Sequence, residues 1–490
     1  MIRAFYAVTA MALLASCNLA PKHITPELST PLTYPPEVSP EGTRTDAVAI
    51  DWQTFFHDER LRALIGMALE NNRDLRIAVA RIEEARGLYR VTRSDQLPRL
   101  DGSGGYSRNR VGAASQSSGQ SGTANAAGSG SSGVEFDNYQ VGIAVTSFEL
   151  DFWGRVRNLS EAARSQYLGT VAAERAFRLS LIRDLATAYL TSRSLAEQAD
   201  QADQAIVARE RGLKIAKLRL DAGVTSALDY RQSETLLTQA LTQAASLRNR
   251  RAQQRNVVRL LVGMPIDEDA LAPARKLGDQ QLMQDIDAGL PSALLLNRPD
   301  IIQAEEALRA ARANIGAARA AFFPTISLTG QFGFASSALS NLLTTAGTSW
   351  SVGPSLSLPI FDWGARKGNL DVARARESIQ VATYERTVQT AFREVSDALA
   401  NRRYLDEQIV SQTREVNANR ALTQLAQTRY DNGVTDFLQV LDAQRSLFSA
   451  EQALIGLRGQ ELTSIVTLYA ALGGGLGQQP KPRPGNASPR

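Results

Sequence analysis

The side chains that could perform nucleophilic, acid–base or metal chemistry are few in this chain. Its 490 residues include one cysteine, Cys17, and two histidines, His23 and His57. Zinc and iron sites take most of their ligands from these two residue types, and a Ser/His or Cys/His triad needs a histidine as its base. We therefore expect no resident metal, no cofactor and no enzymatic activity.

Cys17 has another chemistry available, because it ends a short apolar stretch at the start of the chain. Ala4–Ala15 is apolar, and the sequence that closes it, Leu14-Ala15-Ser16-Cys17, matches the bacterial lipobox, in which the thiol is joined to diacylglycerol. We predict a signal peptide at 1–16 and a lipid on Cys17. The alternative is an ordinary signal peptide that ends near a lone thiol. Six prolines within 17–50 predict an extended tether after the lipid.

The charged residues argue against one class of partner. The chain has 54 basic and 50 acidic residues, and they are scattered without a run of like charge that could follow a phosphate backbone. Nucleic-acid binding is therefore not expected. Beyond the N-terminal stretch, no segment approaches the roughly twenty apolar residues of a membrane-spanning helix.

The elements that would position a functional site occur in two copies. Trp153-Gly154 recurs as Trp363-Gly364, 210 positions later, and Asp74–Pro98 matches Asp300–Pro324 at an offset of 226. The first copy therefore contains 16 additional residues. The predicted divisions are a first repeat at 51–263, a linker at 264–296, a second repeat at 297–475 and a flexible tail at 476–490.

Each repeat is expected to contain one long helical hairpin. No proline occurs between Phe152 and Met264 or between Ile360 and Gln479, so uninterrupted helices are allowed there. A Gly-Val-Thr sequence that follows basic residues divides each stretch, as a C-cap glycine would. Apolar residues spaced by seven in the last helix indicate coiled-coil packing. The predicted hairpins are 154–263, turning at 221–226, and 364–473, turning at 431–436.

The apolar period changes to two in two other segments, which predicts β-hairpins at about 97–150 and 324–361. The first contains 112–133, whose Gly- and Ser-rich composition predicts a flexible loop. One face of the strands is apolar and the other is small and polar, which is typical of a membrane barrel with a wet lumen. Because four strands are too few for a barrel or a soluble sandwich, and lipid tolerates no unpaired edge, other copies of the chain must complete the barrel.

The predicted fold class is therefore mixed α and β. It combines a membrane β-barrel, to which each chain gives four strands, with a long α-helical coiled coil, and it is built from an internal tandem repeat. An amphipathic helical bundle without a barrel has similar apolar spacing, but the length of the helical stretches favours the coiled coil.

Several motifs, in order along nearly the whole mature chain, resemble a known family: the TolC-like outer-membrane efflux channels, in particular the OprM-type (NodT-like) lipoproteins of resistance-nodulation-division efflux systems. The motifs are an opening helix with Trp52, Phe55 and Asp58 that continues to Ala85, the start of the second repeat at Asn297-Arg298-Pro299-Asp300-Ile301, the strand Gly353–Asp362, and the final hairpin from Phe392 to Arg445.

The resemblance implies a homotrimer with a twelve-stranded barrel and a twelve-helix periplasmic tunnel. Such a protein is lipid-anchored in the outer membrane of a Gram-negative bacterium. It acts as a passive exit duct for drugs or other small molecules, with a periplasmic adaptor and an inner-membrane resistance-nodulation-division transporter as partners. The choice of cargo is expected to belong to the transporter.

The resemblance also implies a closure at the hairpin tips. It assigns Asp442 to the pore constriction, Gln439 to a position one helical turn before it, and Asp229 to a latch between the hairpins with Arg429 and Tyr430 as candidate partners. A solvated charge or helix cap is the alternative for each of these residues. The tips and adaptor contacts are Gly223, Val224, Thr225, Gly433, Val434 and Thr435.

Three other functions remain open from the residues. A type I protein-secretion channel would share the fold, but the lipobox disfavours it. A metal-efflux duct has no support, since Met clusters and further histidines are lacking. A non-conducting trimeric coiled-coil lipoprotein would not need the alternating strands, and single-channel conductance separates it from a duct.

Overall fold

A computed structural model describes residues 18–26, 45–46, 50–111, 134–267, 277, 282, 286–287 and 297–474. The predicted signal peptide, Cys17, the 112–133 loop, most of the linker and the 476–490 tail lie outside these residues. The elements in chain order are β1 (Thr45–Asp46), α1 (Trp52–Phe55), α2 (Glu59–Asn71), α3 (Arg73–Ser94), β2 (Asp101–Val111), β3 (Val134–Glu149), α4 (Arg155–Asp221), α5 (Ala227–Val262), β4 (Ile286–Asp287), α6 (Pro299–Ala320), β5 (Thr325–Ser336), β6 (Thr348–Ser357), α7 (Ala365–Asp431) and α8 (Phe437–Ala471).

Both helical hairpins are present, and α4 and α7 have 67 residues each. The opening segment differs from the single helix expected from Trp52 to Ala85, because two side chains cap new helices within it. Asp58 accepts hydrogen bonds from the Arg60 and Leu61 amides, and the Asn72 side chain accepts one from the Leu75 amide at 2.9 Å. Each cap begins a new helix, so the segment is divided into α1, α2 and α3.

The four longer strands form one antiparallel sheet in the order β2-β3-β5-β6. A register irregularity lies between Val145 and Phe148 where β3 pairs with β5. Strand β2 begins at Asp101 and not near Leu97 as the sequence predicted, and it extends to Val111. Its Gly- and Ser-rich composition gives a weak apolar alternation, so pairing with β3 decides its bounds.

The sheet has the two unlike faces that the alternation predicted. Ile143, Phe332 and Trp350 form one cross-strand row on the apolar face, and they are 53–72 % exposed. The opposite face carries Gly142 and Gly333 on paired positions. A Cβ on Gly142 would lie 2.8 Å from the Phe332 carbonyl oxygen, so β3 and β5 could not approach as closely with larger residues there.

The beginning of each repeat is tied to the end of its helical hairpin. The Asn72 side chain donates to the Leu261 carbonyl at 2.8 Å, and the Arg298 guanidinium donates to the Ala471 carbonyl at 2.8 Å. Leu261 and Ala471 are 210 positions apart, and Asn72 and Arg298 are 226 apart, so these two joints are equivalent. The repeat thus preserves the joint although the donor side chain differs.

The largest apolar core lies beside these joints. Tyr469 stacks on Phe55 with ring centroids 3.9 Å apart, and its hydroxyl donates to the Ile50 carbonyl at 2.6 Å. Burial raises the pKa of Tyr469 far above its ordinary value, so the phenol remains a hydrogen-bond donor. Further along α8, Leu441, Ile455 and Leu462 are also buried, which agrees with the spacing of seven.

Two compact units can be described separately. The first contains Glu84–Tyr167 and Glu306–Val381, together with the described N-terminal residues 18–25, and it includes the sheet. The second contains the hairpin turns and the core around Tyr469. Among the described residues, no helix is long and apolar enough to cross a membrane.

Candidate functional site

The two predicted hairpin turns have the same backbone structure. Gly223 and Gly433 both have φ of +71°, which favours glycine, and each ends its long helix. The Val224 amide donates to the Arg219 carbonyl, and the Val434 amide donates to the Arg429 carbonyl, both at 2.9 Å. This is a Schellman motif in both repeats. Val224 and Val434 are 73 % and 64 % exposed, so each turn presents an apolar side chain to its surroundings.

In the first turn, Asp229 is held by its own hairpin. Its carboxylate accepts from the Thr225 hydroxyl at 2.6 Å and from the Ser226 amide at 3.4 Å, while its amide donates to the Ser226 hydroxyl. These bonds form a capping box at the start of α5. The Thr225 hydroxyl, more than any other group, holds the pKa of Asp229 below its ordinary value. The stability that the ionised carboxylate adds to the cap is therefore present at neutral pH and is lost as the pH falls through this lowered pKa.

The second turn has different side chains at the equivalent positions. Asp436 caps α8 by accepting from the Gln439 amide at 3.4 Å, and Gln439 occupies the position of Asp229. Asp442 lies 2.9 Å from Arg445 on the same helix, and both side chains are more than half exposed. Within one chain, Asp442 is thus a solvated acid in an i,i+3 pair.

One contact joins the two hairpins near their turns. The Arg219 guanidinium donates to the Tyr430 hydroxyl and lies 5.2 Å from the Tyr430 ring centroid. Tyr430 also contacts Phe437 across the second turn, with centroids 4.9 Å apart. The family resemblance implies Arg429 and Tyr430 as candidate partners of Asp229, and within one chain Asp229 bonds to Thr225 and Ser226. A pairing of Asp229 with Arg429 or Tyr430 stays a prediction.

Arg219 was missed by the sequence reasoning although a signal was available. Arg219 and Arg429 occupy equivalent positions, 210 apart. The signal was the repeat itself, which makes either arginine a candidate once the other is chosen.

A cavity of about 180 Å³ lies between the two hairpins beside the Arg219–Tyr430 contact. Its lining includes Asp229, Leu441 and Arg209. Arg209 is buried, donates to the Leu236 carbonyl at 2.8 Å and lies 4.8 Å from the Phe448 ring centroid. Burial lowers the pKa of Arg209. The Arg219–Tyr430 contact lies at the border of this space.

A second arrangement, which the sequence did not predict, holds the segment that follows Cys17. Arg319 donates to the Leu19 carbonyl at 3.0 Å, and Arg312 donates to the Ile24 carbonyl at 2.7 Å. Gly316 lies between them on α6, and a Cβ there would come within 2.6 Å of the Asn158 side-chain amide nitrogen and within 2.8 Å of Ala20. The three α6 residues have i, i+4, i+7 spacing and therefore share one helix face. We call this face the N-terminal clamp.

A substitution at Gly316 tests whether the N-terminal clamp holds the segment on α6. Gly316→Ala should push the segment away from α6, because the added methyl group has no room. Trypsin cleavage after the exposed Lys22 should become faster, since cleavage requires local release of the backbone. The rate can be followed by mass spectrometry of the membrane-embedded protein.

Gly87→Ala is the matched control, because Gly87 is also helical and a Cβ there meets nothing within 4 Å. It should leave the cleavage rate unchanged. Equal rates in both variants and the wild type would show that Gly316 does not seat the segment.

No group of three or more metal-ligating side chains occurs in the part of the chain that the structure describes.

Known proteins resemble this chain over most of its length. A sequence model of the family described as outer membrane efflux protein matches residues 64–264 and 290–474. Both repeats are therefore included in the match.

Two curated relatives and one solved structure illustrate the similarity. The probable efflux pump outer membrane protein TtgC of Pseudomonas putida is 40 % identical over 481 residues, which cover 96 % of this chain and 95 % of TtgC. Outer membrane protein OprJ of Pseudomonas aeruginosa is 40 % identical over 464 residues, 94 % of each chain. The open state of the MtrE outer membrane channel of Neisseria gonorrhoeae has a TM-score of 0.84 and 37 % identity, covering 94 % of this chain and 99 % of MtrE.

The fold and the comparisons together define a class of protein. The chain belongs to the outer membrane efflux protein family. It is an efflux channel with a TolC-like mixed α and β fold, and it resides in the outer membrane of a Gram-negative bacterium.

Proposed function

We propose that this protein is the exit duct of a tripartite efflux pump, a homotrimer that passively conducts drugs or other small molecules from the periplasm to the exterior. An inner-membrane resistance-nodulation-division transporter supplies the energy, and a periplasmic adaptor contacts the hairpin turns. Relatives named as toluene and antibiotic efflux pump components support small, partly apolar cargo. The duct itself needs no catalytic group.

The observation that carries the proposal is the two-faced sheet. Three copies would supply twelve strands, with the apolar face toward lipid and the glycine- and serine-rich face toward water. The first residues of α4 and α7 follow β3 and β6 directly in the chain, so each pair of strands leads into a long helix. This connectivity supports a barrel that is continued by a helical tunnel.

At the turns, we propose that Asp229, Arg429, Tyr430 and Arg219 hold the resting channel closed. Asp442 and Gln439 would lie at the constriction, where three copies of Asp442 would attract cations. The exposed Val224 and Val434, with the adjacent Gly and Thr residues, would contact the adaptor. The Arg219–Tyr430 contact supports this proposal, because it is the described hydrogen bond that joins the two turns.

We also propose that Cys17 carries the lipid. The segment that follows it is fixed on α6 by the N-terminal clamp, so an acyl chain on Cys17 would be attached close to the first unit. Mass spectrometry of the mature protein tests this directly, and an unmodified Cys17 thiol would contradict it.

Conductance of the purified protein in planar bilayers tests the duct. The neighbours Ser351 and Val352 provide a matched pair, because they lie on opposite faces of β6. With Ser351→Cys, a charged thiol reagent in the aqueous phase should reduce the conductance stepwise, whereas Val352→Cys should not respond. Absence of conductance in intact trimers of both the wild type and an Arg219→Ala variant would favour the structural lipoprotein, and a response of Val352→Cys alone would reverse the two faces.

A further inference from the structure

The tryptophans that follow the two β-hairpins have different environments. The Trp153 indole donates to the Pro324 carbonyl at 2.9 Å, and its ring stacks on Phe323 with centroids 4.6 Å apart. Trp363, its equivalent, is 91 % exposed. Trp363 also has φ of +56°, and it is the one non-glycine residue with positive φ among those that the structure describes. Residues with a Cβ rarely adopt this conformation.

The repeat identifies the residues that would pack against Trp363 as Phe323 and Pro324 pack against Trp153. Phe323 and Pro324 correspond to Leu97 and Pro98, 226 positions earlier. Leu97 is 70 % exposed and lies just before β2, whereas Trp363 follows β6. Since β2 and β6 are the two edges of the sheet, these residues cannot meet within one open sheet.

We propose that β6 of one copy pairs with β2 of the next copy in the way that β3 pairs with β5 within the chain, and that Trp363 packs on the next copy's Leu97 and Pro98. This inference rests on the trimer of the proposed function, and it adds the register and the residues of the joint. The two edges differ from each other, so the contact is head-to-tail and can close into a ring.

The internal pairing supplies the register. Phe148 pairs with Leu328, and the Leu150 amide donates to the Ile326 carbonyl at 2.8 Å. The equivalent pairs between copies are Leu358 with Gly102 and Ile360 with Leu100. Along β6 and the three residues after it, the apolar residues Trp350, Val352, Leu356, Leu358 and Ile360 alternate without the irregularity of β3, so the proposed ladder continues regularly.

Continued in this way, the ladder pairs Ser357 with Ser103 and Ser355 with Gly105, both on the small polar face. It pairs Leu356 with Gly104 on the apolar face. A slip of one residue would place Leu356 opposite a residue of the polar face and reverse every following side chain. The alternation of the two edge strands thus excludes slips of one residue, and the repeat selects one of the registers that remain.

The helices that adjoin the sheet support the same arrangement. Within the first unit, rings on α3 and α4 stack, alanines on α4 and α6 pack together, and Arg312 on α6 pairs with Glu377 on α7 at 2.9 Å. The helix order therefore follows the strand order, with α3 and α7 outermost. Pairing α7 with α3 of the next copy would cover apolar side chains that are 47–65 % exposed in one chain: Leu88, Val91, Val372 and Ile379.

Disulfide formation tests the register. Ser103→Cys combined with Ser357→Cys should give a covalent trimer on non-reducing gels after mild oxidation of outer membranes. Opposed residues in an antiparallel pair have Cα atoms about 4.5–5.5 Å apart, which a disulfide can span. Within one copy the edge strands are separated by three strand spacings, about 14 Å, so no disulfide can form there.

Matched controls use equally small changes. Ser103→Cys with Ser355→Cys is two residues out of register and should cross-link much less. Thr325→Cys with Ser357→Cys joins paired residues within one chain and should give an oxidised monomer. Each single variant shows whether Cys17, the chain's one native cysteine, takes part.

The tryptophan contact has its own measurement. Trp363→Ala should lower the temperature at which the trimer dissociates in detergent, whereas Leu343→Ala, in the β5–β6 connection and 74 % exposed, should not. Equal effects of the two substitutions would overturn the Trp363 contact. Equal cross-linking of the Ser355 and Ser357 variants would overturn the register.

The outcomes separate this inference from the proposed function. In the variant that carries both Ser103→Cys and Ser357→Cys, an amine cross-linker could capture trimers although no disulfide forms. That result would overturn the register but not the trimer of the proposed function. Monomers under both treatments would refute the trimer of the proposed function and the inference with it.

Discussion

Replacing Arg298 by methionine is expected to destabilise the protein by about 2 kcal/mol, because it removes a buried guanidinium from two partly exposed carboxylates and frees a helix end. The Arg298 side chain is 9 % exposed and lies 2.7 Å from Asp300 and 2.8 Å from Glu394. It also donates to the Ala471 carbonyl in the last turn of α8. Methionine would leave two carboxylates close together and this carbonyl without its donor. Guanidinium unfolding in detergent, followed by circular dichroism, measures the loss.

Arg393→Met is the control, since Arg393 is adjacent to Glu394 but forms an exposed pair with Asp397 at 3.8 Å. Exposed pairs contribute about 0–1 kcal/mol, so its midpoint should hardly change. Arg298→Lys should recover only part of the loss, because lysine keeps the charge but cannot bridge three acceptors with a planar fork. A midpoint for Arg298→Met equal to that for Arg393→Met would show that the joint does not hold the repeat together.

The main architecture could be predicted because its signals extend over many residues. Proline-free stretches, the change of apolar period and the repeat offsets located both helical hairpins and all four long strands. The breaks at Asp58 and Asn72 were missed, since each depends on one capping side chain within an otherwise helical pattern. The bounds of β2 were missed because a strand rich in glycine and serine is defined mainly by its partner strand.

The candidate site was predictable in its backbone and not in its side-chain contacts. Gly223 and Gly433 follow basic residues at the ends of long helices, and this local pattern predicted both turns. The Arg219–Tyr430 contact joins residues from different hairpins, so no local pattern contains it. The N-terminal clamp depends likewise on where residues 19–24 meet α6. Its α6 signal was two arginines on either side of a glycine on one helix face, which alone does not name a partner.

Loss of the Arg219–Tyr430 contact is expected to loosen the closed state of the channel. A hydrogen bond of this kind contributes about 1 kcal/mol per copy, to which the contact of the guanidinium with the ring adds. If three copies open together, the ratio of closed to open channels should fall on the order of a hundredfold. Arg219→Ala should therefore raise the conductance of the isolated channel and admit vancomycin into intact cells.

Further variants decide how the turns are held. Tyr430→Phe keeps the ring contact with Phe437 but removes the hydroxyl that accepts from Arg219, so it should reproduce much of the effect. Combining it with Arg219→Ala should add little, because both substitutions remove the same contact.

Arg429→Ala tests the other prediction: if Asp229 pairs with Arg429 between copies, Arg429→Ala and Asp229→Ala should open the channel equally and without additivity. Unchanged conductance in the Arg219 and Tyr430 variants, with trimers intact, would show that this contact does not close the channel. If the Arg429 variant still opens the channel, Arg219 and Arg429 differ in function although they are equivalent in the repeat. If it does not, neither arginine takes part in closure.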